Sequence, residues 1–323
     1  MLVRESKRGG HLNRSEAIGE AARQTCRRCF FTIAVLVPAL FSAVSAQEYG
    51  AAAPEKPAGL NFDVGVMFDD NVTRSFGPGQ KLSDSVFTLN GNKSQIVQLG
   101  DNTRVVVTGF FGAERFRKYI GLSRVFAGVQ GQYQYRPAAD FDSPIYALLA
   151  RVSGDGYETA QRDGTRYTVA LTFRKPLTDR IELFAAFSRN ERHTASQVFS
   201  TRETSIRANL DYAWSGKVTI FMTGEYRRGD VVSTGLPTLA NVDVATAITR
   251  DNAFSDTARF AYRTNAETGL ATLGLNYAID EKHALDFSMR RVKSTPFIQP
   301  NYNGAEHVSY SVTQFSLAYL FSF

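Results

Sequence analysis

The residues best suited to chemistry in this sequence are charged side chains that recur at every second position of alternating segments. Arginine carries a planar fork of donors that suits carboxylates and phosphates. If alternate residues face the inside of a closed sheet, these charges share one lumen, and the lumen must be wet or the charges must pair. The set comprises eight arginines and six acids: Arg104, Arg124, Arg151, Arg174, Arg192, Arg207, Arg227 and Arg290, with Asp63, Glu114, Glu182, Asp211, Glu225 and Asp286. Such a lining predicts either a narrow pore that favours anions or a salt-bridged plug.

Catalytic interpretations have less support. Beyond the first 46 residues, histidines occur only at His193, His283 and His307. Asp69 and Asp70 with His193 would suit an omptin-like protease at a barrel rim, but the second aspartate that such a site needs is missing. An outer-membrane phospholipase would need a Ser-His-Asn set on the lipid-facing side, where no histidine is predicted. Metal-ligand spacings and phosphate-binding glycine loops are absent, so the sequence predicts no catalytic residue, cofactor or metal.

Residues 1–46 have the features of a secretory signal peptide, with arginines before an apolar stretch (30–41) and a small-residue cleavage site ending at Ala46. Residues 47–58 are predicted to be a flexible periplasmic lead-in, and residues 59–323 the folded domain. Both cysteines, Cys26 and Cys29, fall in the leader, so a redox or metal role for this pair is not expected. Removing the leader's seven basic and three acidic residues lowers the formal charge from +6 to +2. The basic composition therefore does not indicate a nucleic-acid partner.

The elements that must position the charges are strands, as the end of the chain shows most clearly. From His307 onward the sequence alternates, and one face carries Phe315, Leu317, Tyr319, Phe321 and Phe323. An aromatic face at a chain end would be covered by lipid in a transmembrane β-barrel, where apolar outward residues alternate with polar inward ones. An edge strand of a soluble sandwich is the alternative, but the same alternation recurs along most of the chain.

Counting these segments predicts an all-β, antiparallel up-and-down transmembrane barrel of about twelve strands. Ten or fourteen also fit, because two regions are ambiguous: a phase slip around Gly91–Gln95 that suggests a β-bulge, and residues 259–266. Long connections should follow odd-numbered strands on the extracellular side, and tight turns should follow even-numbered strands. Aromatic residues gather near the predicted strand ends, as in a membrane girdle.

Two segments resemble known barrels. The terminal phenylalanine with alternating aromatics before it resembles the C-terminal signature of bacterial outer-membrane proteins, which implies recognition by the barrel assembly machinery. The early segment from Phe68 to Arg74 (FDDNVTR) is similar to one in porin-like proteobacterial barrels, some of them linked to exopolysaccharide functions. The resemblance implies an outer-membrane protein of a Gram-negative envelope and assigns no site. Independently of it, Asp69, Asp70 and Asn71 have the composition of a turn that caps the first strand.

Three functions follow from these observations. The first is a small, weakly anion-selective pore or export channel for an anionic solute or a polysaccharide-related substrate. The second is a non-conducting barrel that assists envelope assembly. The third is a hydrolase at the barrel rim. The sequence identifies outer-membrane lipid as a partner and leaves the oligomeric state open.

Overall fold

Thirteen antiparallel strands make up most of residues 59–254, 258–305 and 307–323, which are the parts of the chain that the computed structural model describes. The predicted leader and lead-in lie outside these residues, so both remain predictions. The strands are β1 (Leu60–Asp69), β2 (Asp84–Gly100), β3 (Thr103–Phe116), β4 (Arg124–Tyr135), β5 (Ile145–Tyr157), β6 (Gly164–Pro176), β7 (Ile181–Thr194), β8 (Thr201–Ala213), β9 (Val218–Gly235), β10 (Ala247–Arg250), β11 (Phe260–Ala278), β12 (His283–Pro296) and β13 (Tyr310–Ser322).

Twelve of the strands close into a ring, which confirms the predicted barrel. Neighbours in the chain pair antiparallel, β9 pairs with β11, and β13 returns to β1. The closing seam runs from Asn61 opposite Ser322 to Asp69 opposite Gln314. Within the ring every strand therefore has a neighbour on both sides, which a lipid environment requires because it offers no hydrogen bonds to exposed backbone.

The thirteenth strand, β10, lies outside the ring. It pairs with the first four residues of β11, from Phe260 to Arg263, while β12 pairs with β11 only from Ala266 onward. The short strand therefore occupies the edge of β11 that extends beyond the end of β12. One short helix, α1 (Leu239–Asp243), precedes it, with the Thr238 side chain accepting from the Asn241 N–H as its N-cap. Among the described residues, no helix has the length and apolarity to cross a membrane.

Alternation along the strands separates two faces. Outward positions carry exposed Val, Leu, Ile and aromatic side chains, such as Val64, Val66 and Phe68 on β1. The inner face is mostly polar but includes fully buried rings at Phe110 and Phe221. Room for the second ring comes from Gly274, where an added Cβ would lie 2.1 Å from it. Aromatic packing and hydrogen-bonded polar groups therefore share the interior.

Most of the longer connections lie at one end of the ring and most of the tight turns at the other, as predicted, with residues 136–144 between β4 and β5 as the exception. The longer ones, at the end of β1 that carries Asp69, are residues 70–83, 117–123, 158–163, 195–200, 236–259 and 297–309. By the usual orientation of such barrels this end is extracellular, and the start of β1 and the end of β13 lie on the periplasmic side. Four of these connections contain a 3₁₀ turn: Pro78–Gln80, Ile120–Leu122, Ala160–Arg162 and Gln197–Phe199.

One local prediction was wrong, and one ambiguity is resolved. The pairing of β2 with β3 is continuous through Gly91–Gln95, and its one register shift lies between Gln98 and Gly100. The apparent slip arises because Lys93 and Gln95 take outward positions near the periplasmic edge, where Lys93 pairs with the first residue of β1 and polar residues are tolerated. The ambiguous residues 259–266 contain the start of β11, which with β9 extends the wall beyond the membrane.

Candidate functional site

The structure places all fourteen charged residues named from the sequence at inward positions of their strands. Each lies in the row that alternates with the outward-facing residues of its strand, and most contact another polar side chain inside the barrel. The same inward alternation brings in five further ionisable residues that the sequence analysis missed: Asp69, Asp84, Asp155, Arg166 and Glu203. With them, the described strands carry nine inward arginines and ten inward acids. The excess of arginine counted from the sequence is therefore not a property of the whole lumen.

The inward charges are unevenly distributed around the ring. We use the term basic wall for the inward charged residues of β3 to β8, which are Arg104, Arg124, Arg151, Arg166, Arg174, Arg192 and Arg207 with Glu114, Asp155, Glu182, Glu203 and Asp211. We use the term acidic wall for those of the remaining ring strands, which are Asp63, Asp69, Asp84, Glu225 and Asp286 with Arg227 and Arg290. The basic wall thus has seven arginines and five acids, whereas the acidic wall has two arginines and five acids. The result is an electric field directed across the lumen.

Three arginines of the basic wall converge on Asp155, whose side chain is 3 % exposed. Its carboxylate lies 3.6 Å from an Arg124 nitrogen, 3.4 Å from Arg192 and 3.8 Å from Arg166. Arg124 also forms a bidentate pair with Glu114, at 2.9 Å and 2.6 Å. Two of the guanidinium groups, those of Arg124 and Arg192, lie over the ring of Tyr157. The cluster keeps three cations near two acids and leaves a local positive excess.

The rest of the basic wall is less tightly paired. Arg151 lies over the ring of Phe110, with 4.0 Å between its guanidinium carbon and the ring centroid. Arg174 forms an ion pair with Glu182 at 3.3 Å, and Arg104 donates to the Gln134 side-chain oxygen at 2.5 Å. These contacts hold the side chains against the wall, so they define the lumen's surface as well as its charge.

The acidic wall is built differently. Asp63 accepts a hydrogen bond from the Asn90 amide at 2.6 Å, so its partner is neutral. Arg227 pairs with Glu225 at 2.7 Å and approaches Glu203 of β8 at 3.5 Å. Arg290 donates to the Thr272 hydroxyl at 3.3 Å. Asp63 therefore has a neutral partner, whereas Glu225 is paired with Arg227 and Asp69 with Arg74, a residue of the loop after β1. On the basic wall, acids compensate much of the arginine charge.

A segment between β9 and β11 crosses the extracellular mouth. Its Phe254 ring packs on Tyr119 with centroids 5.2 Å apart, and Gly121 lies so close to Ala253 that an added Cβ would be 2.5 Å from its Cα. The connections that hold these two contacts are six strands apart in a ring of twelve, so they lie on opposite sides of the mouth. We define the cap as residues 236–254 with the loops 70–83 and 117–123. Leu122, Ala253 and Phe254 form its buried apolar centre.

A buried ion pair fastens the cap to the barrel rim. Asp251 has a fully buried side chain, and its Oδ2 accepts from Arg162 Nη2 at 2.6 Å and from the Thr234 hydroxyl at 2.7 Å. Its Oδ1 accepts from the Ala253 N–H at 3.1 Å. Arg162 also stacks over Phe199 at 4.1 Å, and its carbonyl accepts from Arg192 of the basic wall at 2.6 Å. We call the Arg162–Asp251 pair the latch.

The cap has a second attachment around the acidic turn after β1. Asn71 donates its backbone N–H to Asp69 Oδ1 at 2.8 Å, and Arg74, whose φ is 55°, pairs with Asp69 at 2.8 Å. Thr73 then accepts from the Thr234 N–H at 2.7 Å, which joins this turn to the end of β9. The Asp-Asp-Asn cluster therefore acts as a turn and cap anchor, consistent with its composition.

Histidines do not assemble with the acids named for catalysis. His193 is exposed on the outer face of β7, 3.9 Å from Glu191, whereas Asp69 and Asp70 lie at the end of β1, six strands away. The expectation that no histidine faces outward was wrong, since His193 and His283 both do. His193 contacts Tyr167 and Glu191, and His283 contacts Tyr319. None of these contacts is with the serine or asparagine that a phospholipase site would need. Within the described ranges, no group of three His, Cys, Asp or Glu could hold a metal.

The aromatic row at the end of the chain closes the barrel seam. Phe321 stacks on Phe62 of β1 with centroids 5.4 Å apart, and Phe323 meets the same ring edge-on at 6.2 Å. The Phe323 N–H donates to the Leu60 carbonyl at 2.9 Å. These contacts describe the folded barrel, and the role of this row as an assembly signal remains a prediction.

Comparison with known proteins supports the fold. No protein-family model matches the chain, and no curated protein has a significantly similar sequence. An outer membrane channel from Pseudomonas putida F1 has a similar structure, with a TM-score of 0.52 and 14% identity over 87% of this chain and all of that one. The KdgM porin in complex with disordered oligogalacturonate gives 0.44 and 11% identity, over 81% of this chain and 99% of that chain. At such identities the likeness concerns the fold alone, which is that of an outer-membrane β-barrel.

Proposed function

We propose that this protein is an outer-membrane channel for small anionic solutes whose extracellular mouth is closed by the cap. The observation that carries the proposal is the separation of charge between the basic and acidic walls. Inward charges that served only to hold the wall would be expected to pair locally and evenly. Here the arginines outnumber the acids on one side and the acids outnumber the arginines on the other. A water-filled passage with an electric field across it would account for the excess of arginine on one side and of acids on the other.

A weak preference for anions should come from the middle of the basic wall rather than from the total charge. Arg151 and Arg207 lie near the middle of β5 and β8, where a passing ion is furthest from both aqueous ends. Arginine suits carboxylate and phosphate groups. The substrate we propose is accordingly an anionic small solute or an acidic polysaccharide-related compound. The resemblance of residues 68–74 to barrels linked to exopolysaccharide functions agrees with that class.

The alternative function is a non-conducting accessory barrel, and the cap is the observation that favours it. An apolar centre and a buried ion pair across the mouth would block passage whenever they are formed. The two functions differ in whether the cap opens, which electrical recording measures directly.

The test is the reversal potential across a salt gradient for purified protein in planar bilayers. Wild type should conduct with a modest anion preference that weakens at high salt, since the Debye length is about 10 Å at 0.1 M. Arg151→Glu/Arg207→Glu should shift the reversal potential toward cation preference. A matched control is Arg189→Glu/Arg202→Glu, which makes the same change of charge at exposed outward positions of β7 and β8, outside the cap.

Cation preference in wild type, or equal shifts in both double variants, would contradict the assignment of selectivity to the basic wall. Folded protein that stays silent even after the cap is loosened would refute the channel and support the accessory barrel.

A further inference from the structure

Large apolar side chains cover most of the outer wall of the barrel. In one place they give way to small residues, which leaves a groove. The groove lies over β8, β9, β11 and β12 and is shallow, because it is open along most of its outer side. Four small outward residues form its floor: Ala208, Gly224, Gly269 and Ala271. At both glycines an added Cβ would meet nothing within 4 Å, so the space above them is open. On the periplasmic side, exposed Met222 and Leu273 border the floor.

Basic side chains stand at the β12 end of this groove. Arg291 pairs across strands with Ala271, and Lys293 pairs with Gly269, so each cation continues one row of the floor. Both are exposed, and Arg291 also donates to the Thr313 hydroxyl on β13, which fixes its guanidinium at the outer surface of β12. On the extracellular side of the floor, Glu267 of β11 hydrogen-bonds with the Tyr226 hydroxyl and pairs across strands with Arg228 of β9. Three cations and one acid leave a net positive rim.

The depth of these cations matches the lipid headgroups of the outer leaflet. Met289 is the last apolar outward residue of β12 before Arg291, and Phe315 is its counterpart on β13 before Thr313. Outward Arg and Lys cost about 2–4 kcal/mol at the membrane midplane and close to nothing at the interface. The basic rim therefore lies at the extracellular boundary of the apolar belt, and the groove extends from it into the belt.

We propose that this groove binds a phosphorylated lipid of the outer leaflet, with its phosphate on Arg291 and Lys293 and an acyl chain over the glycine and alanine floor. The charge of the rim complements a phosphate, and the open floor admits a chain that large side chains would exclude. A free phosphate would gain only the rim contacts, and a second copy of the barrel would bring its own cations against these. The site is independent of whether the lumen conducts.

Binding of diphosphorylated lipid A to the full barrel in detergent, measured by native mass spectrometry, tests the proposal. Each basic residue near an anionic surface contributes about 1 kcal/mol, so Arg291→Gln/Lys293→Gln should weaken binding about 30-fold. Gly269→Leu fills the floor and should also weaken it. The matched controls are Arg115→Gln/Arg117→Gln for charge and Gly131→Leu for the floor, because Gly131 of β4 also has nothing within 4 Å of an added Cβ.

Several results would overturn the proposal. Equal weakening in the charge control would mean non-specific attraction, and equal binding of lipid A stripped of its phosphates would remove the headgroup contact. Competition by millimolar inorganic phosphate alone would point to a simple anion site. A dimer in wild type that Gly269→Leu abolishes would make the face a protein interface. If Gly269→Leu does not fold, the Arg291 and Lys293 pair still decides the outcome.

Discussion

Breaking the latch should open the mouth of the proposed channel. Asp251→Asn keeps the size of the side chain but removes the charge that faces Arg162, whose side chain is only 14% exposed. An amide offers one oxygen where the carboxylate offers two, so it cannot satisfy Arg162 and Thr234 on one side and the Ala253 N–H on the other. Hydrogen bonds to charged groups contribute about 1.5–3 kcal/mol. Taking about 2 kcal/mol for the closed cap, the odds of opening should rise about 30-fold.

The measurement is the open probability of single channels at fixed voltage and salt. Arg162→Gln should raise it similarly, and the double variant should add little to either single change because both remove one interaction. Asp243→Asn is a suitable control: Asp243 also lies in the cap and accepts a backbone N–H, from Asn301, but does not touch Arg162. Additive effects of the two latch variants, or an unchanged open probability in Asp251→Asn protein that remains folded, would refute the latch.

Three further predictions concern other parts of the chain. Deleting Phe323 should lower the amount of barrel inserted in cells while refolding into detergent changes much less, and equal insertion with and without it would contradict its role as an assembly signal. Mass spectrometry of protein from outer membranes should find Gln47 as the N-terminal residue, whereas an intact leader in the inner membrane would refute cleavage after Ala46. At the periplasmic turn, the backbone N–H groups of Lys282 and His283 donate to Asp280 and hold the pKa of its carboxyl below the usual range. Its stabilisation of the turn should be complete above the ordinary Asp pKa and lost as pH falls through the lowered folded value, which an NMR titration of Asp280 and of the same amides in Asp280→Asn would check.

The barrel was predictable because its outer face contacts lipid along most of each strand. Lipid demands apolar side chains at every second position, so strands such as β4 and β13 are visible from local sequence alone. The prediction was weaker at outward positions that do not contact the lipid core, because polar side chains are permitted there. Lys93 and Gln95 face outward near the periplasmic edge, where polar side chains are tolerated, and they imitate a change of phase. The extracellular parts of β9 and β11 extend above the membrane and have the composition of loops.

The candidate site was only partly predictable, because its decisive contacts are non-local. Asp155 is flanked by glycines, which suggests a turn, yet it continues β5 and gathers three arginines from neighbouring strands. Continuing the alternation through that segment would have found it. No local signal marks Asp251, which lies in a polar connection and becomes a buried partner of Arg162 only because that connection crosses the mouth.

The pore and the plug, which the sequence alone presents as rivals, involve different parts of the structure. Ion pairs such as Arg174–Glu182 hold side chains against the wall of the lumen and do not by themselves span it. The contacts that span the mouth belong to the cap, whose closure depends on one buried ion pair and a small apolar centre. Arg192 links the two parts, since it approaches Asp155 in the lumen and donates to the Arg162 carbonyl beneath the latch. An anion that draws Arg192 toward the lumen would therefore act on the cap through one hydrogen bond, so anionic solutes should raise the open probability of wild type but not of Arg192→Gln.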